Sequence, residues 1–158
     1  MPNLFSNQYQ LIQESRSVVL DFLETTVKTD IVTPVSAYRA KTISSMLVHI
    51  TNVYFQWIGN FGLQQQIELF DDYSITQIQM IRSMFEEVDS LVEIFIERYG
   101  AHPEHVMAGM ISGQGRVDTT VTSLFTHVIT HEFHHKGQIM SMMRLIGYIP
   151  PDADIIRF

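Results

Sequence analysis

Residues 118–147 read DTTVTSLFTHVITHEFHHKGQIMSMMRLIG, and this stretch decides the fold. Its core-facing positions recur at spacings of 4-3-4-3-4 residues, which is typical of an α-helix that buries one face. These positions are Leu124, Val128, His131, His135, Gln138 and Met142. We predict a helix that is capped by Asp118 and runs to Ile146, because Gly147 and the following Pro150-Pro151 pair stop helices.

Three further segments carry helical periodicity, and none carries the sustained alternation typical of a strand. Ser74 and Gln77 form a predicted capping box that opens the third helix, and Gly100 is predicted as the C′ residue after its end. The helices are predicted over residues 4–26, 42–62 and 74–99, with a glycine-rich loop over 101–117 and an apolar tail, 151–156, ordered against them. Four long helices with short to medium connections predict an all-α fold, a four-helix bundle that forms a single domain over residues 1–158.

Composition narrows the class of protein. The chain of 158 residues is 46% hydrophobic and 17% charged, which excludes a disordered protein. A net charge of −7 without a lysine or arginine cluster argues against nucleic-acid binding. The absence of cysteine excludes a disulfide framework, a cysteine-type zinc site and a thiol nucleophile of the chain's own. No apolar run is long enough for a membrane span, and residues 1–5 lack a signal-peptide pattern, so we expect a cytoplasmic protein with no membrane partner.

The histidines of the last helix suggest a metal site. Four of the seven histidines fall between His127 and His135, and His131 and His135 lie one turn apart on the core-facing stripe. Two imidazoles in this arrangement can chelate one divalent ion, and a third ligand from another helix would complete a site with an open position. His49 is the candidate, because it lies on an apolar stripe of the second helix. A hydrogen-bonded core histidine remains the alternative for each, and His102 and His105 are predicted to be solvated loop residues.

Two other metal motifs overlap these residues. His131-Glu132-Phe133-His134-His135 matches the H-E-x-x-H pattern of zinc metalloproteases, but the residues after His135 contain no glutamate or histidine to act as the third ligand. Glu132 and His135 also form the Glu-x-x-His unit of di-iron bundles. Those bundles need two such units, and Met46 stands where His49 would require a glutamate. We therefore expect neither a protease of this type nor a di-iron site.

The C-terminal segment resembles the DinB-like superfamily. Residues 127–139, HVITHEFHHKGQI, are similar to its H-x-x-x-H-x-x-x-H-[KR]-G-Q-[IL] pattern. Gly147 followed by Pro150-Pro151-Asp152 is similar to its G-x-x-P-P-x-D segment, and Leu47-Val48-His49-Ile50 to its leucine–histidine segment on the second helix. The resemblance spans most of the chain but is weak in the first and third helices.

The resemblance implies a bundle of up-down-down-up topology with a divalent metal ion, zinc or nickel, held by His49, His131 and His135. It also implies a homodimer, which the low charged fraction favours independently. Relatives act as thiol S-transferases with low-molecular-weight thiols such as bacillithiol, or in related isomerisations with mycothiol. The implied partners are thus a small-molecule thiol and an electrophilic substrate. The alternatives are a non-catalytic, metal-stapled stress protein and a metal-dependent hydrolase.

Residues near the three histidines are candidates for supporting roles. Glu132, His127 and His134 could orient ligand imidazoles through hydrogen bonds. Gln138 could hydrogen-bond within the site, and Gly137 would let the last helix pack closely against a neighbour or a partner chain. A further group could shape a substrate pocket, although core packing or helix capping explains these residues equally well: Tyr54, Trp57 and Arg144.

Overall fold

Four long helices dominate the computed structural model, which describes residues 3–158. They are α1 (Leu4–Phe22), α2 (Ile43–Tyr54), α3 (Ile78–Tyr99) and α4 (Val121–Leu145). Two π-helical segments, Leu23–Val27 and Phe55–Gly62, continue α1 and α2. Two short 3₁₀ turns, Lys28–Val32 and Ser36–Tyr38, lie between the first π-helical segment and α2. The prediction of four helices is confirmed, and with their π-helical continuations the first two end close to their predicted bounds.

A β-hairpin adds a small two-stranded sheet to the mostly helical fold, so the all-α prediction is confirmed only in part. Strands β1 (Val106–Ile111) and β2 (Gly115–Thr120) pair antiparallel, and they cover most of the predicted loop, 101–117, and the predicted start of the last helix. Gly113 in the turn has a φ of +76°, a conformation that glycine adopts without strain. Gly113 is thus one of the glycines that suggest an irregular loop in the sequence, and in the structure the turn of the hairpin requires it. Buried and exposed side chains do alternate along β1, with Met107 and Ile111 buried, but this alternation covers only six residues.

The helix caps differ from the predicted ones at two helices. Thr120 caps α4 by accepting from the backbone N–H of Ser123, because Asp118 is paired inside β2. Ser74 does not cap α3, since its own N–H and hydroxyl both donate to the carbonyl of Asp71. Helix α3 instead follows Gln77, which makes no side-chain capping bond.

Gly100 is the C-cap of α3, but it keeps a right-handed helical φ of −63° and is not the predicted left-handed C′ residue. Glycine is needed at this position because the side chain of Asn3 approaches it closely. A Cβ on this residue would collide with the side chain of Asn3 and lie 2.5 Å from the carbonyl oxygen of Ile96. Asn3 in turn caps α1 by accepting from the N–H of Ser6 at 2.9 Å. The end of α3 thus packs directly against the start of α1.

The core lies between the four helices. Helix α2 contacts both α3 and α4, and α1 also contacts both. Large, fully buried side chains come from α2, its π-helical continuation, α3 and α4: Tyr54, Phe55, Phe95 and Phe125. The packing of α2 against α4 is what brings histidines from two helices together.

The C-terminal tail is ordered through one small residue. Ala153 is only 3% exposed, and its carbonyl accepts hydrogen bonds from the hydroxyl of Ser15 (2.5 Å) and from Nζ of Lys136 (2.6 Å). The ordering of this segment is confirmed, but its large apolar side chains do not cause it, since Ile156 and Phe158 are exposed. None of the helices between residues 3 and 158 combines the length and hydrophobicity needed to cross a membrane. Residues 1 and 2, part of the segment without a signal-peptide pattern, lie outside the described range.

Candidate metal centre

Three histidines from two helices converge at one place. His49 lies on α2, and His131 and His135 lie one turn apart on α4. Each offers one ring nitrogen such that these atoms all lie within 4.8 Å of one another. All three rings are partly buried. We call these residues the triad; the structure brings together the residues that the sequence analysis names as ligands.

The pair on α4 has the spacing of two metal ligands. Nε2 of His131 and Nε2 of His135 are 3.2 Å apart. Two nitrogens bound tetrahedrally to zinc, each at about 2.0–2.1 Å, are about 3.3 Å apart. Two imidazole nitrogens at this distance need either the N–H of one neutral ring or a cation bound to both between them. The donor set of the triad therefore fits a divalent ion such as zinc or nickel.

Gln138 fixes the orientation of His135. Its side-chain carbonyl oxygen lies 2.7 Å from Nδ1 of His135. Because this oxygen can only accept, Nδ1 carries the proton, and the lone pair of Nε2 faces His131. The predicted hydrogen bond of Gln138 within the site is thus confirmed. Nδ1 of His131, by contrast, is buried without a hydrogen-bond partner among the described residues.

Burial keeps the imidazoles on α4 neutral. It lowers the pKa of His131 to about 4, with a further contribution from the neighbouring imidazoles of His135 and His49. Burial also lowers the pKa of His135, although the hydrogen bond with Gln138 opposes this shift. Only neutral imidazole can ligate a metal. At neutral pH both side chains are therefore ready to bind an ion without first losing a proton.

An acidic residue that the sequence analysis does not single out lies beside His49. Oδ2 of Asp72 is 3.5 Å from Nδ1 of His49, and both side chains are about one-third exposed. Asp72 belongs to the segment between α2 and α3, which has no periodicity. No spacing in the sequence relates it to the histidine, because the contact arises only when this segment folds back onto α2.

Glu132, predicted to orient a ligand imidazole, lies in a different network. Its two carboxylate oxygens accept from Nε and Nη2 of Arg16 at 2.7 and 3.0 Å, and the hydroxyl of Tyr54 donates to it at 2.6 Å. Arg16 also donates to Asp89 on α3 at 2.7 Å. Among the described residues, no hydrogen bond joins Glu132 to the triad. Its contacts instead stabilise the packing of α1, α2 and α4.

This arrangement supports the rejection of the two competing metal motifs. In a metalloprotease with an H-E-x-x-H helix, the glutamate acts as a general base beside the metal. Here Glu132 is 4% exposed and ion-paired with Arg16, so its carboxylate is not free for that role. The same ion pair removes it as the carboxylate ligand that a Glu-x-x-His unit of a di-iron site requires.

The remaining predicted residues take several positions. His127 is exposed and packs edge-on against Trp57 with ring centroids 4.9 Å apart, and burial of part of the ring lowers its pKa. Its ring is also 5.9 Å from that of His131. His134 is exposed beside His135. Both side chains lie next to the triad, but none of the hydrogen bonds among the described residues joins either of them to it.

Of the residues proposed to shape a pocket, Tyr54 is fully buried in the core and cannot line one. Arg144 is exposed, and Trp57 packs against His127, which lies next to the triad. Gly137 is exposed, and no described atom lies within 4 Å of the point that a Cβ would occupy, so close packing against a helix of the same chain is not observed. His102 and His105 are exposed, as predicted, with His105 stacked on Tyr99.

Comparisons with known proteins agree with the fold. A family model described as "DinB family" matches residues 1–158. A DinB-like protein from Bacillus cereus ATCC 10987 superposes with a TM-score of 0.71 at 17% identity, covering 95% of this chain and 97% of that chain. A DinB-like protein from Bacillus subtilis gives a TM-score of 0.62 at 16% identity, covering 92% and 97%. No curated protein matches the chain. Because the family model spans the whole sequence, the chain belongs to the DinB family.

Proposed function

We propose that this protein binds one divalent metal ion, zinc or nickel, through His49, His131 and His135. The observation that carries the proposal is the convergence of three imidazole nitrogens within 4.8 Å, two of them at the spacing of metal ligands. The low pKa of His131 supports it, because a neutral imidazole retains its lone pair. The family resemblance implies the same three ligands.

We further propose that the protein is a thiol S-transferase that uses a low-molecular-weight thiol such as bacillithiol and an electrophilic substrate. Three neutral ligands leave the full charge of the ion in place, so the ion would supply deprotonation of a coordinated thiol. The chain has no cysteine, so the thiol must come from a cosubstrate. Gln138 holds the Nδ1 proton of His135, which directs Nε2 to the metal position. Trp57 and His127 form an aromatic wall beside His131 that could contact the substrate.

The two alternatives gain less support from the structure. A hydrolase of the H-E-x-x-H type would use its glutamate as the base near the metal position, and here that glutamate is ion-paired with Arg16. If the ion were needed to hold the helices together, we would expect the apolar core to be too weak to do so alone. This chain instead has a continuous apolar core and a buried ion pair that joins α1 to α4.

The proposal includes the arrangement of helices that the family resemblance implies. The contacts of α2 and of α1 with both α3 and α4 support a bundle of four helices, and the up-down-down-up direction of these helices rests on the family resemblance alone. A homodimer is also proposed. It is supported by exposed apolar side chains on the outer face of β1, Val106 and Met110, and light scattering on the purified protein would test it.

Metal content of tag-free protein tests the metal site. We expect about one divalent ion per chain in the wild type and a loss of it in His135→Ala. His134→Ala is the matched control, because it removes a neighbouring exposed imidazole that lies outside the triad. Equal metal content in the two variants would exclude the triad as the site. Turnover of an electrophile that requires an added thiol would then separate the transferase from the hydrolase and the non-catalytic protein.

A further inference from the structure

Near His49, the side chain of Asn52 ties the segment that carries Asp72 to α2. The amide of Asn52 donates to the carbonyl of Phe70 at 2.7 Å, and its oxygen accepts from the N–H of the same residue at 3.0 Å. The amide nitrogen also donates to Oδ1 of Asp72 at 3.1 Å. Asn52 lies three residues after His49 on α2, so the two side chains project from neighbouring positions of one helix face. The carboxylate of Asp72 is therefore held in a defined place over His49.

We infer that Asp72 is a positioning residue that fixes His49 in the tautomer with the proton on Nδ1. Oδ1 of Asp72 is taken by Asn52, which leaves Oδ2 facing Nδ1 of His49 at 3.5 Å. An ionised carboxylate can only accept, so the nitrogen that faces it carries the proton. The lone pair is then on Nε2. This inference deepens the proposed function and rests on it for the role of His49 as a ligand.

The same device acts on a second ligand of the triad. Gln138 accepts from Nδ1 of His135 and leaves the lone pair of that ring on Nε2. Two of the three histidines thus have an oxygen acceptor near Nδ1. The acceptor on α4 itself is at a hydrogen-bond distance of 2.7 Å, and the one on the segment that Asn52 holds in place is at an ion-pair distance of 3.5 Å. Metal-binding histidines generally donate their second N–H in this way, and the acceptor fixes the ring and raises its basicity.

Substitution of Asp72 by asparagine should reverse the tautomer. The carbonyl oxygen of the new side chain would still accept from the amide of Asn52, which turns the new NH₂ group towards Nδ1 of His49. A donor at that position favours an unprotonated Nδ1 and places the proton on Nε2, the atom needed for the metal. Rotating the new amide by half a turn restores the acceptor for His49 but sets two NH₂ groups against each other at Asn52. Neither orientation keeps both the bond from Asn52 and the proton on Nδ1 of His49.

The test compares Asp72→Asn with Asp71→Asn. Both variants remove one negative charge from the same segment, and Asp71 accepts from the backbone of Tyr73, a bond that asparagine can keep. Zn²⁺ affinity is measured by competition with a chelator, and thermal unfolding confirms that both variants fold. We expect Asp72→Asn to bind Zn²⁺ roughly 10–100-fold more weakly than wild type, and Asp71→Asn to stay within about threefold. Equal affinities of the two variants would overturn the inference.

A second measurement does not depend on metal. Nitrogen-15 NMR of the histidine rings in the metal-free protein reports which nitrogen of His49 carries the proton. We expect Nδ1 in the wild type and a shift towards Nε2 in Asp72→Asn. A wild-type ring with its proton on Nε2 would overturn the inference even if the protein binds zinc. If the wild type bound no zinc, the proposed function would fail, and the ring tautomer alone would decide the role of Asp72.

Discussion

Removing the charge of Glu132 should destabilise the fold more than any exposed substitution. Glu132 and Arg16 are 4% and 6% exposed, so solvent screens their ion pair little. In Glu132→Gln, Arg16 would keep its bond to Asp89 but lose the carboxylate that accepts from it twice. Breaking a buried ion pair by changing one partner typically costs about 3–5 kcal/mol, and Asp89, which is 28% exposed, would compensate the buried charge of Arg16 only in part.

The expected shift in melting temperature follows from the size of the chain. For a domain of 150–250 residues, each kcal/mol shifts Tm by roughly 2–4 °C, so a loss of about 3–5 kcal/mol lowers Tm by roughly 6–20 °C. The assay is thermal and urea unfolding of metal-free protein, with a chelator present so that metal binding does not contribute. Glu93→Gln is the matched control, since Glu93 is exposed on α3 and makes no ion pair with a described residue.

A double variant separates the charge effect from packing. Replacing both Arg16 and Glu132 by methionine removes the pair without leaving a lone buried charge, and such replacements are often neutral. Asp89 would keep its bond from the hydroxyl of Tyr9 at 2.6 Å and its partial exposure to water. We therefore expect the double variant to be more stable than Glu132→Gln. A loss below about 1 kcal/mol in Glu132→Gln would refute the reasoning.

Three further outcomes are expected from other parts of the molecule. Because the pKa of His131 is lowered to about 4 in the folded chain while the unfolded side chain titrates near its ordinary value, the unfolded state binds more protons between these values. The metal-free protein should therefore lose stability as the pH falls below about 6.5, and melting curves of His131→Gln should show a weaker dependence. Gly100→Ala should lower stability by about 1–3 kcal/mol in urea unfolding, since its Cβ would displace Asn3, the cap of α1. Lys136→Met should increase amide hydrogen exchange around Ala153, because the tail loses one of the two bonds to that carbonyl; unchanged exchange would contradict this.

Helices were predictable because their signal is long and repetitive. The stripe on α4 from Leu124 to Met142 fixes its inward face, and the same stripe places His131 and His135 side by side. The hairpin was not predictable in the same way. Its alternation spans only six residues in each strand, and Gly113 and Gly115 give the impression of a loop. Six residues are too few to establish a two-residue period when the glycines in the same segment indicate a loop.

The site was predictable only where it depends on one helix. Spacing along α4 and the apolar stripe around His49 indicate the triad, whereas the contact of Asp72 with His49 depends on how the segment after α2 folds back. For Glu132, the sequence position next to His131 suggests a role at the metal. The side chain points about 100° away around the helix, since each residue of an α-helix turns by that angle, and it therefore meets Arg16.

The rotation of α4 about its axis decides where its imidazole nitrogens lie. Side-chain atoms lie roughly 6 Å from a helix axis, so a roll of about 10° moves the imidazole nitrogens by about 1 Å, half of a zinc–nitrogen bond. The ion pair between Arg16 and Glu132 resists such a roll from the side next to the triad. A random-mutagenesis screen for metal binding should therefore recover substitutions at Arg16 on α1, although α1 itself contains no histidine.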